Sequence, residues 1–229
     1  MSDIAAAPHA LDPALWTTDA QKILLHDIGW EQYETLLEAL GDHHLRLTYD
    51  RGNLEFMTLS PEHERYKHLL RRLLEVLGEA LNVPLAGLGS TTYRRADLER
   101  GLEPDECYYL SNWSRVRGKK RIDLRTDPPP DLAIEIDVTH SSLERMGIYA
   151  ALEVPEVWRF DGEHLRVYRL AATGQYDLCD RSPSFPTIPI PELVRFIRQG
   201  EVEDEMSMVR ALREWVGSRA AELDNDSGV

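Results

Sequence analysis

Asp131, Glu135 and Asp137 fall on the odd positions of DLAIEIDV (131–138), and Leu132, Ile134, Ile136 and Val138 fall on the even ones. Side chains alternate between the two faces of an extended chain, so this segment reads as a strand with an acidic face and an aliphatic face. Same-face neighbours stand about 7 Å apart, so Glu135 and Asp137 repel, and both stay ionised at low cost only beside solvent or a cation. A hard divalent ion held through oxygen, Mg2+ or Mn2+, is the natural counter-charge. The plainer account is an amphipathic strand with a solvated acidic side. The apolar segments on either side argue for a central strand, where an acidic face needs a reason.

A second acid of the same kind stands upstream in LEPDECYYL, where alternation groups Asp105 with Cys107 and Tyr109. If that strand neighbours 131–138, Asp105 joins Glu135 around one ion. Taken alone, Pro104 and Asp105 only mark the start of a strand. Between the two segments lies SNWSRVRGKKRIDLR (111–125), with Arg115, Arg117, Lys119, Lys120, Arg121 and Arg125 against the single acid Asp123. Such a run is usually a solvated loop. Its place between the two acidic strands gives it a second reading, as a phosphate-contacting segment that overhangs them. Arg65, Lys67, Arg71, Arg72, Arg94 and Arg95 extend that surface.

The elements that must position these residues follow from periodicity. A short helix from Trp30 ends at Gly41, and LRLTY and LEFMTL form a hairpin through Asp50 to Asn53. Ser60 and Pro61 start a long helix over 61–82 whose leucines, from Leu69 to Leu81, make one stripe. Short strands follow at 85–95 and 103–110, then a polar, turn-rich stretch over 111–130 with room for one helical turn. After the 131–138 strand comes a helix over 141–152 capped by Ser141 or Ser142, then the strands VPEVWRF and HLRVYRL around a turn at Asp161 and Gly162. PELVRFIR and 205–223 read as terminal helices. The fold class is therefore mixed α/β or α+β: a mobile tail over 1–21, one domain over 22–200, and an acidic C-terminal helix and tail over 201–229. The face of that last helix, with Met206, Val209, Leu212 and Trp215, packs on the core or mediates a homodimer.

Composition bounds the rest. With 229 residues and 42% of them hydrophobic, the chain can bury one core without staples. Its two cysteines, Cys107 and Cys179, are too few for a disulfide framework and read as reduced thiols. Neither a membrane span nor a secretion signal is visible, so a soluble cytoplasmic protein is expected. The formal net charge of −14 excludes a uniformly basic nucleic-acid coat but not a local patch.

In order, LEFMTLSPEHERYKHLL, EPDECYY, PPDLAIEIDVTHSS and IYAALEVPEVWRFDG resemble the Uma-two (Uma2) family of restriction-endonuclease-like proteins, within the PD-(D/E)xK nuclease superfamily. The resemblance spans roughly residues 28–170. It implies a restriction-endonuclease-like core, a central sheet flanked by helices, and a metal-dependent phosphodiesterase site on adjacent strands. Carried over, Asp105 is the Pro-Asp aspartate and Glu135 the (D/E)xK acid, with His63 and Glu64 at the helix-borne position. As plain residues, His63 and Glu64 are simply first-turn positions, where a Glu suits the helix dipole.

The chain departs from the motif where its lysine is expected, since Asp137 stands there. The helix position four residues before Tyr149, from which many relatives supply the lysine, holds Arg145. An arginine neutralises charge on a phosphate but is no base near neutral pH. Arg145 is otherwise a solvated helix residue or a salt-bridge partner for Glu144 or Glu135. The expected site is thus Asp105, Glu135 and Asp137 holding one or two Mg2+ ions, with Arg145 assisting and Asp131 tying a turn. The expected activity is DNA endonuclease. An impaired nuclease fold kept as a binding module, or a phosphoesterase for small nucleotides, are the alternatives.

Overall fold

A computed structural model of the chain describes residues 20–41, 45–138, 141 and 143–226. In chain order it contains β1 (Lys22–Leu25), α1 (Trp30–Leu40), β2 (Arg46–Asp50), β3 (Asn53–Met57), α2 (Pro61–Ala80), β4 (Ala86–Gly87), β5 (Tyr93–Arg95) and β6 (Arg100–Leu102). There follow β7 (Glu106–Tyr109), α3 (Trp113–Val116), β8 (Leu132–Ile136), α4 (Arg145–Ala151), β9 (Glu156–Phe160), β10 (Leu165–Leu170), β11 (Tyr176–Cys179), α5 (Val194–Val202) and α6 (Glu205–Asp226).

The strands form two sheets. One is antiparallel, in the order β1-β3-β2-β6-β5. Its β2–β3 hairpin turns through Arg51 and Gly52, at φ 46° and 87°, the positive values that a two-residue turn needs to match strand twist. Leu47 and Tyr49 point to α1, where the Tyr33 and Tyr49 rings stack 4.7 Å apart. Arg46 and Thr48 therefore face the other way. The edge strand β1 is absent from the sequence reading because KILL shows no alternation.

The second sheet runs β11-β10-β9-β8-β7-β4, antiparallel except for the β8–β9 pair, which α4 links by a crossover. Leu132, Ile134 and Ile136 face α2, α5 and α6 in the main core, as the alternation requires. Ala133 faces the opposite side, with Cys107, Val157 and the α4 residues Ile148 and Tyr149. Tyr93 and Leu102 of the first sheet close that second cluster, so the sheets meet on the face that carries Glu135.

Several boundaries differ from expectation. β8 stops at Ile136, so Asp137 stands just past the strand. The following helix starts at Arg145 because Glu144 caps it, accepting from Met146 N at 3.1 Å and Gly147 N at 2.5 Å. Ser141 is used elsewhere, and Ser142 lies outside the described residues. α6 runs on to Asp226, past the expected end at 223, while residues 1–19 of the N-terminal tail lie outside the described residues. The α6 face is spent within the chain: Met208, Val209, Leu212 and Val216 are buried in the main core, and Trp215 packs on Phe196. Met206 remains exposed. No helix among the described residues is long and apolar enough to cross a membrane.

Candidate active site

β7 and β8 bring Asp105 and Glu135 to the same end of the second sheet. Asp105 precedes β7, its N–H donates to Ile134 O at 3.1 Å, and its Oδ2 accepts from Ile136 N at 2.5 Å. Both acids are buried. Each is met by a guanidinium: Arg46 of β2 pairs with Asp105 Oδ1, and Arg145 Nη2 of α4 lies 2.7 Å from Glu135 Oε1. The Tyr149 hydroxyl, one helical turn on, donates to the same Glu135 oxygen.

Arg145 is held on three sides. Besides Glu135, its Nη1 donates to Thr48 Oγ1 at 2.5 Å and its Nη2 to the Glu103 carbonyl at 2.7 Å. Burial works against its charge, but the adjacent Glu135 outweighs that and holds the guanidinium above its ordinary pKa. Burial, then the Arg145 charge, pull Arg46 the other way. Tyr149 is pushed up by burial and then by Glu135, which keeps it a neutral donor.

His63 sits in the first turn of α2, where its N–H is capped by Ser60 Oγ at 3.1 Å. Its Nε2 lies 3.0 Å from Asp105 Oδ1, yet neither buried ring nitrogen makes a hydrogen bond of acceptable geometry. Proximity and hydrogen bonding disagree here, and the angle decides: this is contact without a bond. Burial, followed by the Arg46 charge, pushes the imidazole pKa down to about 3. The ring is neutral near pH 7 and keeps a free lone pair.

Asp137 is engaged by Arg159 of β9, and the pair opens on the same cleft as Glu135. Other expected residues lie elsewhere. Glu64 is half exposed and faces Lys67 at 3.8 Å. Asp131 ties the turn after β7, as expected, accepting from Leu110 N, Ser111 Oγ and Asn112 N at 2.7, 2.8 and 2.9 Å. The 111–125 segment leaves from the Tyr109 and Leu132 ends of β7 and β8, opposite to Asp105 and Glu135, and so does not spring from the acids' end. Arg65, Lys67, Arg71, Arg72, Arg94 and Arg95 are all ion-paired, which leaves little of that surface uncommitted.

The sequence reading missed Arg46, Thr48 and Glu55. Glu55 is opposite Thr48 across the hairpin, is almost wholly buried, and accepts from Ser141 Oγ at 2.5 Å. The signal was the alternation of LRLTYD: its polar positions look solvated until a second sheet covers them. Glu103, whose pKa burial raises, feels both Arg46 and Arg145. Glu135, Asp137, Ser141, Arg145 and Arg159 line a cleft of about 370 Å³.

No three His, Cys, Asp or Glu side chains among the described residues converge as a ready ion cage. The donor chemistry nevertheless suits a divalent cation: the two carboxylates Asp105 and Glu135 stand beside an unpartnered neutral imidazole, and Glu103 adds a third acid near the two guanidinium groups. Admission of an ion requires a guanidinium to yield its carboxylate oxygen.

A family model described as "Putative restriction endonuclease" (Uma2) matches residues 30–199. Among solved structures, the chain resembles a "putative nuclease belonging to DUF820" from Anabaena variabilis, with a TM-score of 0.52 and 14% identity, over 74% of this chain and 99% of that one. At that identity the likeness establishes the fold. No curated protein matches.

Proposed function

The chain belongs to the Uma2 family, and from that premise we propose that it hydrolyses DNA phosphodiester bonds at the Asp105–Glu135 end of the second sheet, with a divalent metal ion as cofactor. The observation that carries this reading is the meeting of four groups from four elements: Asp105 beside β7, Glu135 of β8, the lone pair of His63 from α2, and Arg145 from α4. Asp105, Glu135 and His63 would hold the ion. When bound, it would supply Lewis-acid polarisation of the phosphate and a more acidic water.

The chain's own groups divide the remaining work. Tyr149 orients Glu135 by donating to it, and Arg145, released from Glu135, meets negative charge on the phosphate. Arg145 moves no proton, because it stays charged at any working pH. Thr48 and the Glu103 carbonyl fix where that charge stands, which favours the transition state only if the phosphate reaches the same spot.

A second reading rests on the same contacts. Both acids already have a guanidinium partner, so the fold would also serve as a binding module without turnover. The test is cleavage of supercoiled and single-stranded DNA with Mg2+ or Mn2+, alongside ion binding by calorimetry, for wild type, Glu135→Gln and Asp105→Asn. Loss of cleavage by at least about 100-fold in both variants is expected, on the scale of a lost electrostatic catalytic group. Equal cleavage by all three sinks the site. No cleavage by any, with ions bound normally by wild type, favours the module.

A further inference from the structure

Within the 111–125 segment the cations divide sharply. Lys119 is bound to Asp127, and Arg125 to Asp123. Arg115, Arg117, Lys120 and Arg121 are exposed and have no carboxylate partner among the described residues. Arg117 lies over the Trp113 ring, 5.7 Å from its centroid. Trp113 in turn borders a cavity of about 680 Å³ walled by Pro84, Pro155, Leu170 and Pro183, with Arg169 on its rim. Arg169 is exposed and also lacks an ion-pair partner among the described residues. The cavity's acids, Asp131 and Glu156, are each taken up by several donors of the protein itself.

We infer that this end of the sheet is a second nucleic-acid contact, a handhold for an unpaired stretch of the substrate strand. Phosphates lie on Arg115, Lys120, Arg121 and Arg169, and a base stacks in the Trp113 cavity. The chemistry is specific to that class of ligand: an aromatic face within an apolar, proline-walled space accepts a base freed from its stack, and unpaired guanidinium and ammonium groups accept the backbone. The inference rests on the proposed nucleic-acid substrate. It differs from the sequence expectation in its place, away from the acids, and in its members, since Lys119 is withdrawn to Asp127 and Arg117 to the Trp113 ring, and Trp113 and Arg169 are added.

The spacing makes it testable. From Asp131, in the cavity, to Glu135 is four residues of extended chain, about 13 Å. At about 3.4 Å per stacked nucleotide a strand needs roughly four nucleotides to reach both places. Fluorescence anisotropy with a labelled 20-nucleotide single strand and a trinucleotide separates the cases. The variant Arg115→Gln/Lys120→Gln/Arg121→Gln leaves Arg117 on Trp113 and changes only exposed side chains. It is expected to bind the 20-mer about ten-fold more weakly at low salt, with the slope of log affinity against log salt reduced by about two. The trinucleotide should change far less. Arg169→Gln should weaken the 20-mer in the same direction, whereas Arg125→Gln, the same single-charge change at an ion-paired position of the 111–125 segment, should not. Wild-type affinity and slope in the triple variant overturn the handhold and leave the active-site proposal standing. Failure of wild type to bind any oligonucleotide overturns both.

Discussion

Arg145 binds a buried acid of the second sheet and reaches Thr48 of the first sheet at once. Removing the guanidinium leaves Glu135 buried with only the Tyr149 hydroxyl, and an uncompensated buried charge costs about 3 kcal/mol or more. Arg145→Met should therefore destabilise the fold by about 3 kcal/mol, and adding Glu135→Gln should recover most of that loss. Urea denaturation of the four members of the cycle checks it. Additive losses would mean that Arg145 is held by Thr48 and Glu103 alone, with no energetic coupling to Glu135. Arg145→Lys keeps a charge but loses the three-way grip, since a single ammonium cannot reach Thr48, Glu103 and Glu135 in one plane.

At the scale of elements, the β9–β10 hairpin shows how a local turn supports the site, since β9 carries Arg159 and lies parallel to β8. Asp161 opens that turn. Burial alone would raise its pKa, but Arg166 and the N–H groups of His164 and Glu163, at 2.7 and 2.9 Å, outweigh it and hold the carboxyl well below its ordinary 3.8. A depressed folded pKa means that the stabilisation is present above about 3.8 and is lost as pH falls through the folded value. Asp161→Asn should therefore cost about 1 kcal/mol at pH 7, and the gap to wild type should close as pH drops below 3.8. A gap that stays constant down to pH 2.5 would assign the effect to shape instead of charge. This turn was legible in the sequence, as were β8's faces and the leucine stripe of α2, because each depends on a period or a local bond. The start of α4 was not, since Glu144 takes the cap while Ser141 donates to Glu55 on β3, a partner that only the tertiary packing brings near.

For the whole molecule, the candidate site is also the seam between two sheets. Arg46 and Thr48 come from the first sheet, Asp105 and Glu135 from the second, and Ser141 reaches back to Glu55 on β3. Asp105 and Glu135 could be found from sequence because each stands in a recognisable segment. Their partners could not, because only tertiary packing turns the polar side of β2 inward. The same arrangement ties stability to chemistry. Asp105→Asn leaves Arg46 charged and 4% exposed, so the loss should fall first on the contact between the sheets. Hydrogen exchange should quicken in β2 and β3 by more than in β9 and β10, whose pairing the substitution does not touch. A uniform quickening across both sheets would show that they open together, and that the seam is no weaker than the sheets it joins. Divalent ions should act in the opposite direction on wild type: an ion bound by the folded state alone raises the melting temperature, and Glu135→Gln should abolish the rise.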